Sequence, residues 1–195
     1  MSRHGAPSSS KKRKTPVIAV TDMTPIELAG FVGNHLGKQG INVVLSGGTC
    51  VAHYSKGKYV SMHLDFVNAA FAKRDKIKAA MAEIGFYEDN RYFRHPDTEY
   101  LVEFPPGPLG VGDEQVGEIV EIKTRTGTFK IISPTDCVKD RLAGYYHWDD
   151  MPCLEQAVLV ACENPINIEE IERWSRKEGK GDKFAQIRNR LKRKA

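Results

Sequence analysis

The spacing of apolar positions changes period along the chain, and each change predicts an element. Val17-Ile18-Ala19-Val20 is a short apolar run that suits an edge strand or a packed lead-in. Thr24-Pro25-Ile26-Glu27 then reads as a helix start: Thr24 caps, Pro25 occupies the first helical position and Glu27 stands three after the cap. Ile26, Leu28, Ala29, Val32 and Leu36 follow along that helix, and Gly37 and Gly40 close it. Ile41–Leu45 suits a buried strand, Thr49–Ser55 a short helix. Tyr59–Asn68 alternates with period two, so Ser61, His63 and Asp65 share one face opposite Val60, Met62, Leu64 and Phe66. A helix is expected over 71–84. Two short strands follow around Asp89-Asn90, and then a strand over Tyr100–Phe104. Residues 105–116 form a Gly/Pro-rich loop expected to be mobile. Val116–Ile122 and Thr128–Ile132 pair as a hairpin across Arg125-Thr126-Gly127.

From Ser133 the pattern turns helical. Ser133 caps and Pro134 starts one helix, and others are expected over 149–162, 168–178 and 183–193. The fold class is therefore α/β: a mixed-sheet core over 17–132 followed by a C-terminal helical annex over 133–195. Residues 1–16, with three serines and Lys11-Lys12-Arg13-Lys14, read as a disordered basic arm.

Composition narrows the function classes. The 195 residues are 41% hydrophobic and carry a net charge of +4, with much of the excess in the two ends. Basic ends suit nucleic acid through phosphate neutralisation, or simply solvated tails. The four cysteines, at 50, 137, 153 and 162, form no C-x-x-C pair. Free buried thiols in a reducing cytoplasm are the expectation. No apolar run reaches the length of a membrane span, and the N-terminus lacks the apolar core of a secretory signal.

Candidate chemistry gathers at Ser46-Gly47-Gly48-Thr49. Glycines after a strand let backbone approach a ligand, and the next helix offers unpaired N–H groups to phosphate. No Walker lysine and no G-x-G-x-x-G follows, which excludes the P-loop and Rossmann readings. One strand later Asp65 lies on the face of His63, and Glu103, in the strand 100–104, is placed to supply a neighbouring acid. Hard oxygen donors of this kind hold Mg²⁺ during phosphoryl and nucleotidyl transfer.

Gly47-Gly48-Thr49 followed by Ser61-x-His63-Leu64-Asp65 resembles the nucleotidyltransferase superfamily (the polymerase-β-like fold), and within it AbiEii-type bacterial nucleotidyltransferase-like proteins. The resemblance spans roughly residues 25–165. It implies a nucleoside triphosphate substrate, Mg²⁺ or Mn²⁺ at Asp65 and Glu103, and phosphates held by Ser46, Gly47, Gly48 and Thr49. Ser133-Pro134-Thr135-Asp136-Cys137-Val138-Lys139-Asp140-Arg141-Leu142-Ala143 resembles the helix after the core in these families. That likeness implies a basic residue there, Arg141 or Lys139, and an acid further on, Asp149 or Asp150. It also implies a toxin–antitoxin setting with a cognate antitoxin; the basic C-terminal helix suits an RNA acceptor, a protein hydroxyl is the other, and no membrane partner is expected without an apolar span. Lys56 and Lys58, in the loop after the glycine turn, are candidates for the triphosphate or else a solvated pair.

The departure is His63, which stands where the resemblance calls for the first acid. Imidazole is a poor Mg²⁺ ligand. A natural pseudo-enzyme, an inactivating substitution, and a different metal or mechanism each account for it. The alternative function is a non-catalytic, antitoxin-like or nucleic-acid-binding module on the same scaffold.

Overall fold

The computed structural model describes residues 18–69 and 71–192, so the basic arm over 1–16 lies outside the described residues. A single 3-10 turn, Val20–Asp22, leads in where an edge strand or packed segment was expected. Helix α1, Pro25–Lys38, starts as the sequence predicts. The Thr24 side chain accepts from the Glu27 N–H, and the Glu27 carboxylate reaches back to the Thr24 N–H at 3.0 Å.

Strand β1 (Val43–Ser46) runs into helix α2 (Gly47–Tyr54). Strand β2 (His63–Asn68) and helix α3 (Arg74–Ala82) follow. Three strands come next, β3 (Tyr87–Asp89), β4 (Tyr92–His95) and β5 (Thr98–Glu103). The segment 105–116 carries its own small pair, β6 (Gly110–Val111) and β7 (Glu114–Gln115). The hairpin β8 (Ile119–Lys123) and β9 (Thr128–Ile132) completes the strands. Four helices close the chain: α4 (Pro134–Trp148), α5 (Met151–Glu163), α6 (Ile168–Lys177) and α7 (Gly181–Leu191).

Seven strands form one mixed sheet in the order β3-β4-β5-β2-β1-β9-β8. β1 is antiparallel to β2 and parallel to β9, and β2 is parallel to β5. The expected α/β fold class, with a mixed sheet followed by C-terminal helices, is what the structure shows. Leu45, Leu64, Phe66, Phe93, Val102 and Ile131 are sealed in the core, where apolar burial supplies most of the stabilisation. α1 lies close on the hairpin because its Gly33 has no side chain: a Cβ there would stand 2.6 Å from Phe129 Cβ.

Several boundaries differ from the sequence expectation, each for a visible reason. Pairing begins at His63, not Tyr59, so Val60 is 69% and Met62 42% exposed. Helix α3 starts three residues late because Phe71 has φ +53°, and the Asn68 side chain clamps the Ala72 N–H and C=O. The hairpin starts at Ile119, because Gly117 and Glu118 donate their N–H groups to the Asp136 carboxylate instead. Asp149, with φ +52°, ends α4, and Asp150 caps α5 by accepting from Cys153 N–H.

The annex helices dock on α2 and on the segment 105–118. Tyr54 O–H donates to the Ile132 carbonyl at 2.8 Å, and Asn164 donates to the Tyr54 carbonyl at 2.7 Å. The segment expected to be mobile is tied down. Trp174 Nε1–H donates to the Val111 carbonyl at 3.3 Å, Arg173 and Lys177 hold Glu114, and Glu178 accepts from Asp113 N–H.

Candidate functional site: a carboxylate cleft at the end of β1

The strand register builds one polar row across the sheet. Ser46 lies opposite Asp65, Asp65 opposite Glu103, Glu103 opposite Tyr92, and Tyr92 opposite Asp89. Residues paired this way across adjacent strands project to the same face. Five strands thus line up polar side chains in a sheet whose other face is packed with Leu64, Phe66, Phe93 and Val102.

Gly47 sets the geometry at one end of the row. Its φ is +67°, in the left-handed region, and a Cβ built on it would lie 2.2 Å from Asp65 Oδ2. Both conditions call for glycine: the backbone angle and the contact with the carboxylate. Ser46 Oγ–H donates to the Asp65 carbonyl at 3.3 Å, which fixes β1 to β2 at this point. Gly48 faces the other way, with its absent Cβ 2.9 Å from Ser61 Oγ. Thr49 is fully buried and its hydroxyl donates to the His63 carbonyl, so this side chain holds the turn onto β2.

Ser46, Gly47 and Asp65 line a cleft of about 310 Å³ together with Asp140 and Arg141 of α4. Val67, Pro105, Pro106 and Pro108 form its apolar wall. Larger hollows of about 500 and 520 Å³ lie along α1 and β9, and between α5 and α7. Each of those sets one acid, Glu121 or Glu163, beside two lysines, whereas the small cleft sets two acids beside one arginine.

Electrostatics mark Asp65 as the unusual group. Burial pushes its carboxyl above the ordinary carboxylate range, Glu103 adds to the rise, and Asp140 adds a little more. His63 and Arg141 pull the other way. A carboxylate kept beside like charges is the kind of perturbed group that gathers at functional sites. Arg141 is held by Asp140, with Nε at 2.9 Å from Oδ2, and reaches Gln156 at 3.4 Å. Burial works against its charge, and Asp140 more than offsets that, so the guanidinium stays protonated.

The structure brings together Ser46, Gly47, Asp65 and Arg141 at the cleft, with Glu103 next to Asp65 in the sheet. His63 is half-buried on the same face, its ring 5.3 Å from that of Tyr92. Lys56 is elsewhere: it and Lys58 both pair with Glu163 at the end of α5. Lys139 is buried against Glu170 and Asp136, which leaves Arg141 as the basic group at the cleft. Asp149 pairs with Lys183, and Asp150 is a helix cap. The acid that α4 delivers to the cleft is Asp140, which the sequence pattern did not single out. Its position four residues after Asp136, on the same helix face, was the available signal.

Asp65 and Glu103 suit one Mg²⁺, which is commonly bound through one or two carboxylates and completed by substrate phosphates. Among the described residues no group of three His, Cys, Asp or Glu side chains is placed to hold a metal ion by itself. The donor set therefore fits a single ion shared with a phosphate and falls short of a protein-built cage.

The basic C-terminal helix is largely committed within the fold. Lys183 pairs with Asp149, Arg188 with Glu172 and Arg190 with Glu155. No helix among the described residues is long and apolar enough to cross a membrane.

Among solved structures, the solution structure of the antibiotic-resistance factor ANT(2'')-Ia is similar, at a TM-score of 0.49 and 13% identity, covering 81% of this chain and 91% of that one. A likeness of that size carries no argument about site or substrate. No family model and no curated protein matches the chain, and none of the comparisons supports the AbiEii-type relationship expected from sequence.

Proposed function

We propose that this chain is a nucleotidyltransferase-fold protein that binds a nucleoside triphosphate with one divalent ion, Mg²⁺ or Mn²⁺, at the β1–β2 cleft. The observation that carries the reading is Gly47 packed on Asp65, with Glu103 in register beside it and Arg141 across the cleft. Ser46, Gly47 and Gly48 form the turn that receives phosphate, at the N-terminus of α2. Asp65 and Glu103 hold the ion, which would polarise a phosphoryl oxygen. Arg141 meets developing negative charge from the opposite wall. The acceptor is a hydroxyl of RNA or of a protein.

Titration of labelled ATP, GTP, CTP and UTP in Mg²⁺ or Mn²⁺ tests this. Saturable binding that Asp65→Asn weakens is the expected result. Absence of binding to every nucleotide, by the native chain and by His63→Asp alike, refutes it.

A second reading, a non-catalytic module that needs no metal, draws on His63 in place of a carboxylate. It predicts nucleic-acid affinity that falls steeply with salt. The intramolecular pairing of Lys183, Arg188 and Arg190 weighs against it.

A further inference from the structure

Next to the carboxylate pair stands a cluster that the proposed chemistry does not use. Arg91 lies in the turn before β4, its Cζ 4.8 Å from the centre of the Tyr92 ring. Its Nε is 3.6 Å from Glu103 Oε1, and one terminal nitrogen donates to the Tyr92 hydroxyl. Tyr92 also touches the His63 ring. The Arg91 side chain is 68% exposed. The Tyr92 hydroxyl first, then Glu103, and at longer range Asp65, all favour its charge.

Charge accounting gives this placement meaning. Asp140 is held closely by Arg141 and Glu103 only loosely by Arg91, at 3.6 Å, so Asp65 and Glu103 are the acids that face an incoming ligand. Two carboxylates suit one divalent ion. Two-ion sites use the second ion to clamp and neutralise the phosphate chain. At position 63 this chain offers an imidazole where a further hard donor would be needed. A guanidinium supplies fixed positive charge and a fork of donors matched to phosphate oxygens, with no need for acidic ligands. Stacking on Tyr92 limits the rotamer freedom that Arg91 would lose on binding.

The geometry points to Arg91 as a phosphate-binding residue: braced on Tyr92 beside Glu103, it contacts the polyphosphate of the bound nucleotide and replaces a second divalent ion. This rests on the nucleotide-binding reading above. It adds that binding persists without metal, in a form set by Arg91 and His63 together.

The experiment is nucleotide affinity, read by anisotropy of fluorescent ATP and GTP, in Mg²⁺ and in EDTA. The proteins are the native chain, R91A, R91K and H63D. The native chain is expected to bind in EDTA within about tenfold of its affinity in Mg²⁺. R91A should lose about tenfold or more in EDTA, the range for removing a hydrogen bond to a charged group. R91K should recover part of that loss. H63D, which restores a carboxylate, should weaken binding in EDTA and make it steeply Mg²⁺-dependent. Binding by the native chain that EDTA abolishes, or an R91A affinity within twofold of native in both buffers, overturns the inference. Those results leave nucleotide binding itself standing. Absence of binding by all proteins in both buffers refutes the nucleotide reading and this inference with it. Arg91 is a surface side chain, so R91A leaves the core intact.

Discussion

Replacing Gly47 by alanine perturbs the site in two separable ways. The first is backbone strain. Gly47 has φ +67°, and an L-residue in that region costs about 1–2 kcal/mol. The second is steric, since the new methyl would stand 2.2 Å from Asp65 Oδ2 and 3.1 Å from its Cγ. Asp65 is itself wedged between β1 and β5, so relief requires shifting a strand residue, at about 1–3 kcal/mol by the usual cost of overpacking. Gly57 supplies the control. It follows α2, has φ +81°, and a methyl placed on it would meet nothing within 4 Å. Gly57→Ala carries the strain alone. Both variants gain the same small benefit from a stiffer unfolded chain, so their difference isolates the clash. Urea unfolding should show Gly57→Ala destabilised by about 1 kcal/mol and Gly47→Ala by about 2–4 kcal/mol. Thermal midpoints should fall by roughly 2–4 °C for each kcal/mol in a chain of this size. Nucleotide affinity should drop for Gly47→Ala and stay unchanged for Gly57→Ala. Equal destabilisation of the two variants would refute the claim that Gly47 is fixed by its contact with Asp65.

Asp65→Asn should raise the urea midpoint at neutral pH while weakening nucleotide binding in Mg²⁺. Its carboxyl is raised above its ordinary range, so ionisation above that range costs stability, and the cost fades as pH falls through the raised value; a clear loss of stability in Asp65→Asn contradicts this. Glu114 and Glu170 run the opposite way. Arg173, first, holds both down to about 2 from an ordinary value of 4.5. Their stabilising effect is complete above the ordinary value and vanishes as pH drops from about 4.5 towards 2. Acid titration followed by circular dichroism should show that slope, and Glu114→Gln should flatten it. Glu170→Ala removes the 2.6 Å partner of buried Lys139 and leaves Asp136 at 3.7 Å, so a loss on the order of 2 kcal/mol is expected from chemical denaturation. Thr24→Ala opens the capping box of α1 and should cost about 1 kcal/mol in the same assay.

Local signals carried the helix starts. The Thr24-Pro25 and Ser133-Pro134 caps appear where their spacing predicts, because a cap depends on residues three or four apart. The glycine turn and the face shared by His63 and Asp65 were legible for the same reason. What the sequence could not show was set by distant partners. Alternation from Tyr59 onward is consistent with a strand, yet pairing begins only where the Leu101 N–H reaches the Met62 carbonyl. Lys56 and Lys58 look available until Glu163, more than a hundred residues on, is seen to hold both. Asp149 and Asp150 are the acids that the sequence pattern offers beyond the basic residue. The left-handed turn at Asp149 takes both away to end one helix and begin the next. Asp140 instead points into the cleft, because the Ser133 cap sets the phase of α4 and Asp136 anchors that face to Gly117 and Glu118.

The placement of α4 ties the cleft to the annex in a way that a two-part division of the chain obscures. Asp136 receives the N–H groups at the end of the apolar wall, and Asp140 and Arg141, one turn later, form the opposite wall. The middle of the 105–118 segment is held by Trp174 on Val111 and by Arg173 and Lys177 of α6 on Glu114. Both walls of the cleft therefore answer to helices beyond residue 132, while its floor, Asp65 on Gly47, belongs to the sheet. A chain cut after Ile132 would lose both Arg141 and the anchors of the segment that carries the proline wall. On that ground Ser46 and Asp65, at one end of the polar row, are the sheet's share of a cleft that the annex helix α4 completes with Asp140 and Arg141.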